Sequence, residues 1–87
     1  MNSEQDIFFI SGLMAAAWDA QETASTDIEE QSWRIVAIMC EEAETVRGLI
    51  KRLHFNCIQS APGSYQRVMH QAKQLLEGTL TRKLAHA

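Results

Sequence analysis

The sequence predicts an all-α fold, a three-helix, up-down-up bundle with a long central helix. The 87 residues include only one proline and four glycines, which is too little turn chemistry for a sheet of short strands. Apolar residues recur at helical spacing in three segments. The length suits a single domain over residues 1–87, and a composition of 46% hydrophobic and 22% charged residues is typical of soluble globular proteins.

The first predicted helix begins near Ser3, where Ser3 and Asp6 form an imperfect capping box, and ends near Glu22. Its apolar stripe at helical spacing consists of Ile7, Ile10, Leu13, Met14, Ala17 and Trp18. Phe8 and Phe9 fall off this stripe, so the first two turns are apolar around most of their surface. A lone surface helix would not be built in this way.

The second predicted helix covers residues 26–53, which contain no proline, and opens at a capping box of Thr26 and Glu29. A helix of this length measures about 41 Å, whereas a compact chain of 87 residues is only about 30 Å across. We therefore expect the helix to extend beyond its own fold and to pack against a second copy. Gly48 is its weak point, marking either a close crossing or the true end of the helix.

Two apolar strips run along this second helix. The first keeps nearly a heptad rhythm and contains Ile28, Ser32, Ile35, Met39, Ala43, Val46, Ile50 and Leu53. The second contains Trp33, Val36, Ala37 and Cys40. Two strips on one helix predict a central position between two neighbours.

The third predicted helix follows a lapse in the pattern between His54 and Gly63. Pro62 or Ser64 opens it, after a turn over residues 60–64. Its stripe is the cleanest in the chain and contains Tyr65, Val68, Met69, Ala72, Leu75, Leu76, Leu80 and Leu84.

Charge is divided along the chain. Residues 1–45 carry ten acids against Arg34, a formal charge of −9, and residues 46–87 carry seven bases against Glu77, a formal charge of +6. In an up-down-up bundle most of these acids and bases lie near one another and complement the helix dipoles. Asp19 and Glu22, near the end of the first helix, do not fit this explanation and are left for solvent or a basic partner.

The sequence gives little support for a metal site or a catalytic site. Cys40, His54, Cys57 and His70 contain one pair at ligand spacing, His54 with Cys57, but no second pair completes a structural zinc site. There is no glycine-rich phosphate loop or nucleophile elbow, so we expect no enzyme, no metal and no cofactor. Two cysteines and the absence of Lys or Arg before the apolar stretch near the N-terminus indicate a cytoplasmic protein rather than a secreted one.

DNA binding is the alternative function, because the second half of the chain is basic. The residues that would contact DNA are Arg47, Lys51, Arg52, Arg67 and Lys73. A link of about ten residues between the second and third predicted helices is longer than that of a helix-turn-helix, and the pI near 5.5 is low for a DNA-binding domain.

The preferred function is a non-enzymatic protein–protein interaction module, acting as an adaptor, inhibitor or regulator and forming a homodimer. It rests on more large apolar side chains than a small bundle encloses. The predicted partner-binding residues are the anchors Phe8, Phe9, Trp18, Trp33 and Ile38 with the acids Asp19, Glu22, Glu41 and Glu44. The helical hairpin resembles those of small proteins of bacterial and prophage origin, without a motif that identifies a family.

Overall fold

The computed structural model describes residues 4–58 and 63–85, and for residues 83–85 it describes the backbone alone. All regular structure in these ranges is helical, as predicted. The four helices are α1 (Glu4–Thr23), α2 (Asp27–Glu42), α3 (Val46–Ile58) and α4 (Gly63–Ala85). Contacts are densest within two pairs, α1 with α2 and α3 with α4, and α4 also packs against α1 and α2. The architecture is therefore two helical hairpins packed together.

The prediction of one helix over residues 26–53 is wrong, because two helices, α2 and α3, take its place. The described ranges therefore contain four helices rather than the predicted three. The chain leaves the helical conformation at Ala43, whose φ of −72° and ψ of 135° are extended. A new helix then starts after Thr45, whose hydroxyl oxygen accepts a hydrogen bond from the backbone N–H of Gly48 at 3.0 Å. The carbonyl of Thr45 accepts the first helical hydrogen bond, from Leu49. Thr45 is thus an N-cap in the middle of the predicted helix.

The break removes the predicted overhang. The fold measures 38 × 25 × 24 Å, and the two helices that replace the long one contain 16 and 13 residues. α2 ends at Glu42, and Gly48 lies in the first turn of α3. A Cβ atom at Gly48 would meet only Thr45 Oγ1 within 4 Å, so the glycine marks neither the helix end nor a close helix crossing. The overhang was the main argument for a homodimer, so dimerisation stays a prediction without that support.

The core lies between the two hairpins. Its largest fully buried side chains include Leu49 and Leu53 of α3 and Met69 and Leu76 of α4. α1 contributes Phe9, Ile10, Leu13 and Ala17. Four of the six residues of the predicted stripe are therefore in the core or against it, namely Ile10, Leu13, Met14 and Ala17. The stripe is wrong at Ile7 and Trp18, which are exposed, and it omitted Phe9, which is core.

On α2 the second predicted strip forms the core. Trp33, Val36, Ala37 and Cys40 are all buried. Of the first strip, Ser32 and Met39 are buried, whereas Ile28 and Ile35 are exposed. Ser32 is tolerated inside because its hydroxyl donates to the carbonyl of Ile28 at 2.6 Å.

The link between α3 and α4 is shorter than predicted. α3 continues to Ile58, beyond the expected end at Leu53, so its link to α4 covers residues 59–62 rather than ten residues. The predicted capping residues Ser3 and Pro62 lie outside the described residues. Tyr65 near the start of α4 donates from its hydroxyl to Oδ1 of Asn56 at 2.6 Å, which joins α3 to α4.

The predicted capping box at the start of α2 is present in modified form. Thr26 Oγ1 accepts from the backbone N–H of Glu29 at 3.1 Å. The Glu29 carboxylate reaches back to Ser25, accepting from its N–H at 3.2 Å and from its hydroxyl at 3.0 Å. The connection between α1 and α2 is thus tied to the first turn of α2.

Candidate interaction surface

A groove without a charged residue runs between α1 and α4. Its volume is about 200 Å³. Phe9, Leu13 and Leu76 are buried residues that contribute to its lining. The remaining lining residues are Phe8, Gly12, Ala16, Leu75 and Thr79. Phe8 is 66% exposed and Leu75 is 47% exposed, so large apolar side chains border this groove in contact with water.

Gly12 lies on the α1 side of the groove. A Cβ atom built at this position meets nothing within 4 Å, and no glycine in the described ranges has a positive φ. Glycine in a helix interior is less stable than alanine by about 1 kcal/mol. Neither the backbone of α1 nor its packing requires a glycine here. A larger side chain at position 12 would occupy space in the groove.

Leu75 also borders a second, more polar hollow between α2 and α4. This hollow has a volume of about 340 Å³. It is lined by Trp33, Gln71, Gln74, Leu75, Gly78 and Arg82. Because Leu75 is shared, the uncharged groove and the polar hollow adjoin each other along α4.

The predicted apolar anchors divide into two groups. Phe8, Trp18 and Ile38 are exposed, at 66%, 50% and 44%. Phe9 and Trp33 are buried in the core of the chain itself, so little of either side chain is left for a partner to contact. Phe8 contacts Phe9 edge to face, with ring centroids 5.6 Å apart, and this contact links the exposed ring to the core.

The predicted acidic residues are exposed but lie in two places. Asp19 and Glu22 are in the last turns of α1, whereas Glu41 is at the end of α2 and Glu44 follows it. A short connection makes α1 and α2 antiparallel, so the two pairs lie near opposite ends of α2, which is about 24 Å long. They therefore do not form one rim. Among the described residues, none of these four forms an ion pair within 4 Å.

α1 combines exposed apolar residues with charges of one sign. It contains Glu4, Asp6, Asp19 and Glu22 and no Lys, Arg or His. Ile7 and Trp18 are eleven residues apart and so share one side of the helix, while Phe8 turns toward the groove. The outer surface of α1 is therefore both apolar and acidic.

The predicted DNA-contacting residues are partly engaged with carboxylates. Arg52 pairs with Glu42 at 2.8 Å, across the break between α2 and α3, and Lys73 pairs with Glu77 at 3.3 Å. Arg47, Lys51 and Arg67 are exposed. The structure thus leaves three of the five cations without a carboxylate partner in the described part of the chain.

The thiols lie apart from any cluster of ligands. Cys40 is buried, and this burial together with the nearby Glu41 raises its pKa to about 11. Burial also raises the pKa of Cys57, against the opposing effect of Lys73. Within residues 4–58 and 63–85, no three His, Cys, Asp or Glu side chains come together as metal ligands would. Of the helices in these ranges, none has both the length and the apolar content to cross a bilayer.

Sequence reasoning missed most of the groove. The apolar spacing predicts Leu75 in the stripe of the third helix, and it does not distinguish Gly12, Ala16 or Thr79 as site residues. One signal was present in the sequence: a glycine inside a helical pattern that serves neither a cap nor a turn. The groove itself depends on how α1 meets α4, which local pattern does not determine.

No protein-family model matches the chain, and searches of curated proteins and of solved structures also return no match. The residues and the geometry described above are therefore the basis for proposing a function.

Proposed function

We propose that this chain is a small, non-enzymatic interaction module of the cytoplasm that binds another protein through the groove between α1 and α4. The observation that carries the proposal is the groove itself, uncharged along its lining and bordered by Phe8 and Leu75 in contact with water. Exposed aromatic and aliphatic residues beside a concave apolar surface are the usual components of a binding hot spot. An adaptor, an inhibitor or a regulator would each use such a surface.

The partner segment is a basic amphipathic helix. A helix is the element that a groove between two helices accommodates, through apolar residues spaced three and four apart. The charge of α1 indicates that the partner helix is basic. The acids of α1 include Asp19 and Glu22, which are exposed and form no ion pair with described residues. Basic residues on the partner would meet these acids and speed the encounter.

Self-association as a homodimer is part of the same proposal. Nine large apolar residues are at least about a third exposed in the described ranges: Ile7, Phe8, Trp18, Ile28, Ile35, Ile38, Phe55, Ile58 and Leu75. This is more apolar surface than a groove of about 200 Å³ covers, so it supports a second contact in addition to the partner helix.

The test uses two model peptides of the same helical pattern, one of leucine and lysine and one of leucine and glutamate. The wild-type chain should bind the lysine peptide and not the glutamate peptide, measured by fluorescence anisotropy. Gly12→Leu places a side chain at the groove, where its Cβ meets nothing within 4 Å, and should weaken binding at least tenfold. Amide chemical shifts should change at Gly12, Ala16 and Thr79.

Two matched variants serve as controls. Gly78→Leu also adds a side chain where a Cβ meets nothing within 4 Å, but in the neighbouring hollow. Phe55→Ser removes a phenylalanine that is 57% exposed on α3, away from the groove. Both should bind the lysine peptide as the wild type does. Equal binding by Gly12→Leu, or shifts confined to other helices, would contradict the proposed groove.

A DNA-binding regulator is the alternative function, and one observation favours it. The link between α3 and α4 spans only residues 59–62, so the length that counted against a helix-turn-helix is absent. Arg47, Lys51 and Arg67 would make the phosphate contacts. This function predicts binding to duplex DNA that falls steeply with salt and is lost in Arg47→Glu, whereas an interaction module is indifferent to DNA.

A further inference from the structure

The connection between α2 and α3 has the sequence of a helix although it is bent. It consists of residues 43–45, with no glycine or proline among them. Ala43 and Glu44 are strong helix formers. Among the described residues, the local interactions at the bend are the N-cap at Thr45, the hydrogen bond from the Ala43 N–H to the carbonyl of Cys40 at 3.4 Å, and the ion pair between Arg52 and Glu42. Few interactions therefore separate the bent form from a straight one.

The helical spacing of apolar residues also continues through the connection from α2 into α3. Met39, Ala43, Val46, Ile50 and Leu53 follow one another at spacings of four, three, four and three residues. This is the heptad rhythm of a continuous helix that packs against another helix. In the bent form the same five residues are buried in the core or packed against it, so this register serves the bent and the straight arrangement alike.

We propose that two copies of this chain assemble by exchanging their α3–α4 hairpins. Residues 43–45 straighten, and α2 and α3 join into one helix over residues 27–58, about 48 Å long. The α3–α4 hairpin of each copy then occupies, on the other copy, the place that it has in the monomer. This inference rests on the self-association proposed above and supplies its structural route.

The two hairpins are suitable units for exchange. The two most extensive helix–helix contacts lie within the hairpins, α1 with α2 and α3 with α4, and the four contacts between the hairpins together are at least as extensive as either of them. An exchange keeps the first set within each copy and restores the second set between copies. The hairpins also attract each other, because residues 4–42 carry nine acids against Arg34 and residues 46–85 carry seven bases against Glu77. Formal charges of −8 and +6 favour their association within one copy and between two copies alike.

Since the exchange reuses the contacts between the hairpins, the balance depends on the connection and on concentration. Straightening removes the cap at Thr45, and it separates Glu42 from Arg52 by about 15 Å along the helix. It adds helical hydrogen bonds across residues 43–45. The dimer should therefore be populated at high protein concentration or after refolding, and should exchange slowly with the monomer.

The test measures the dimerisation constant by light scattering after refolding over a range of concentrations. Thr45→Ala removes the cap that only the bent form uses. It should raise the dimerisation constant about fivefold for each connection, and so about 25-fold for a dimer with two connections. Thr26→Ala is the matched control, because it removes the equivalent N-cap of α2, which both forms retain. It should leave the dimerisation constant unchanged within about twofold.

Glu44→Pro is the opposing variant. Ala43 already has the extended conformation that a following proline requires, whereas a proline at position 44 disrupts a continuous helix. It should stay monomeric while its circular dichroism matches the wild type. If Glu44→Pro does not fold, Glu44→Gly replaces it, because glycine disfavours the straight helix without fixing the bend.

The outcomes separate this inference from the rest of the proposal. A dimer that Thr45→Ala fails to strengthen, relative to Thr26→Ala, would overturn the exchange and leave self-association through the surface. A chain that stays monomeric in every variant would overturn both. Neither result touches binding in the groove, because no residue of the groove is changed.

Discussion

The hydroxyl oxygen of Thr45 accepts a hydrogen bond from the backbone N–H of Gly48, at 3.0 Å, and this contact starts α3. A Cβ atom at position 48 would lie 3.1 Å from the same oxygen. Glycine therefore allows the capping hydroxyl to keep its position. The pair explains why the chain bends between α2 and α3 and why a glycine follows three residues after the capping threonine.

Alanine substitution of two glycines should give different gains in stability. Gly12→Ala should raise the free energy of unfolding by about 1 kcal/mol, since its Cβ meets nothing within 4 Å. Gly48→Ala should gain less, because the new Cβ presses on Thr45 Oγ1. Urea unfolding at low protein concentration measures both values.

The control for this comparison is Thr45→Ala, which removes the hydroxyl. In that background Gly48→Ala should recover most of the gain seen at Gly12, so the two substitutions are coupled. Additive effects would mean that the Thr45 hydroxyl moves aside without cost.

Local sequence pattern predicted the fold class but not the bend. Helical content and the apolar side of α4 follow from spacing alone, and the N-cap at Thr26 was found because Glu29 completes its signature. The cap at Thr45 has no such signature, because Gly48 stands where a glutamate would. Ala43 and Glu44 are strong helix formers, so local propensity predicts a continuous helix at the point where Ala43 is extended.

Truncation of two neighbouring phenylalanines tests which side of α1 faces the core. Phe9 is 5% exposed and Phe8 is 66% exposed. Phe9→Ala should lower the free energy of unfolding by about 3 to 5 kcal/mol. Phe8→Ala should cost less than about 1 kcal/mol, through the lost edge-to-face contact. Equal costs, measured by thermal or urea unfolding, would show that α1 packs in the orientation that the sequence predicted.

The candidate site was less predictable than the fold. α1 is apolar on nearly every side of its first two turns, so periodicity leaves its orientation open, and Ile7 and Trp18 were assigned to the wrong side. Phe8 and Leu75 are exposed beside the groove between α1 and α4, and spacing within one helix does not determine how two helices pack. Charge was more informative, since the excess of acids on α1 is visible in the sequence.

Tyr65 should stabilise the second hairpin through its hydrogen bond to Asn56. Tyr65→Phe removes the hydroxyl that donates to Asn56 Oδ1 at 2.6 Å and should cost about 1 kcal/mol. The Asn56 side-chain amide still donates to the carbonyl of Arg52, so α3 should stay intact. Chemical denaturation followed by circular dichroism measures the loss. An unchanged midpoint would mean that water replaces the hydroxyl fully.

Cys40 should make the fold less stable in alkaline solution. Burial and the nearby Glu41 raise the pKa of Cys40 from 9.0 to about 11. Below pH 9 the thiol is neutral in the folded and unfolded chains alike, so its contribution to stability is fully present. Between pH 9 and 11 only the unfolded chain releases the proton, so stability should fall, by about 2 kcal/mol at pH 11.

The measurement compares Cys57→Ser with Cys40→Ala/Cys57→Ser, unfolded in urea at each pH. Burial raises the pKa of Tyr65 also, but Tyr65 is present in both variants and cancels in the difference. Thiolate absorbance at 240 nm in Cys57→Ser should likewise appear only near pH 11 while the chain is folded. A thiolate that forms near pH 9 without unfolding would show that Cys40 is open to water, and the core between the hairpins would then be looser than its buried side chains indicate.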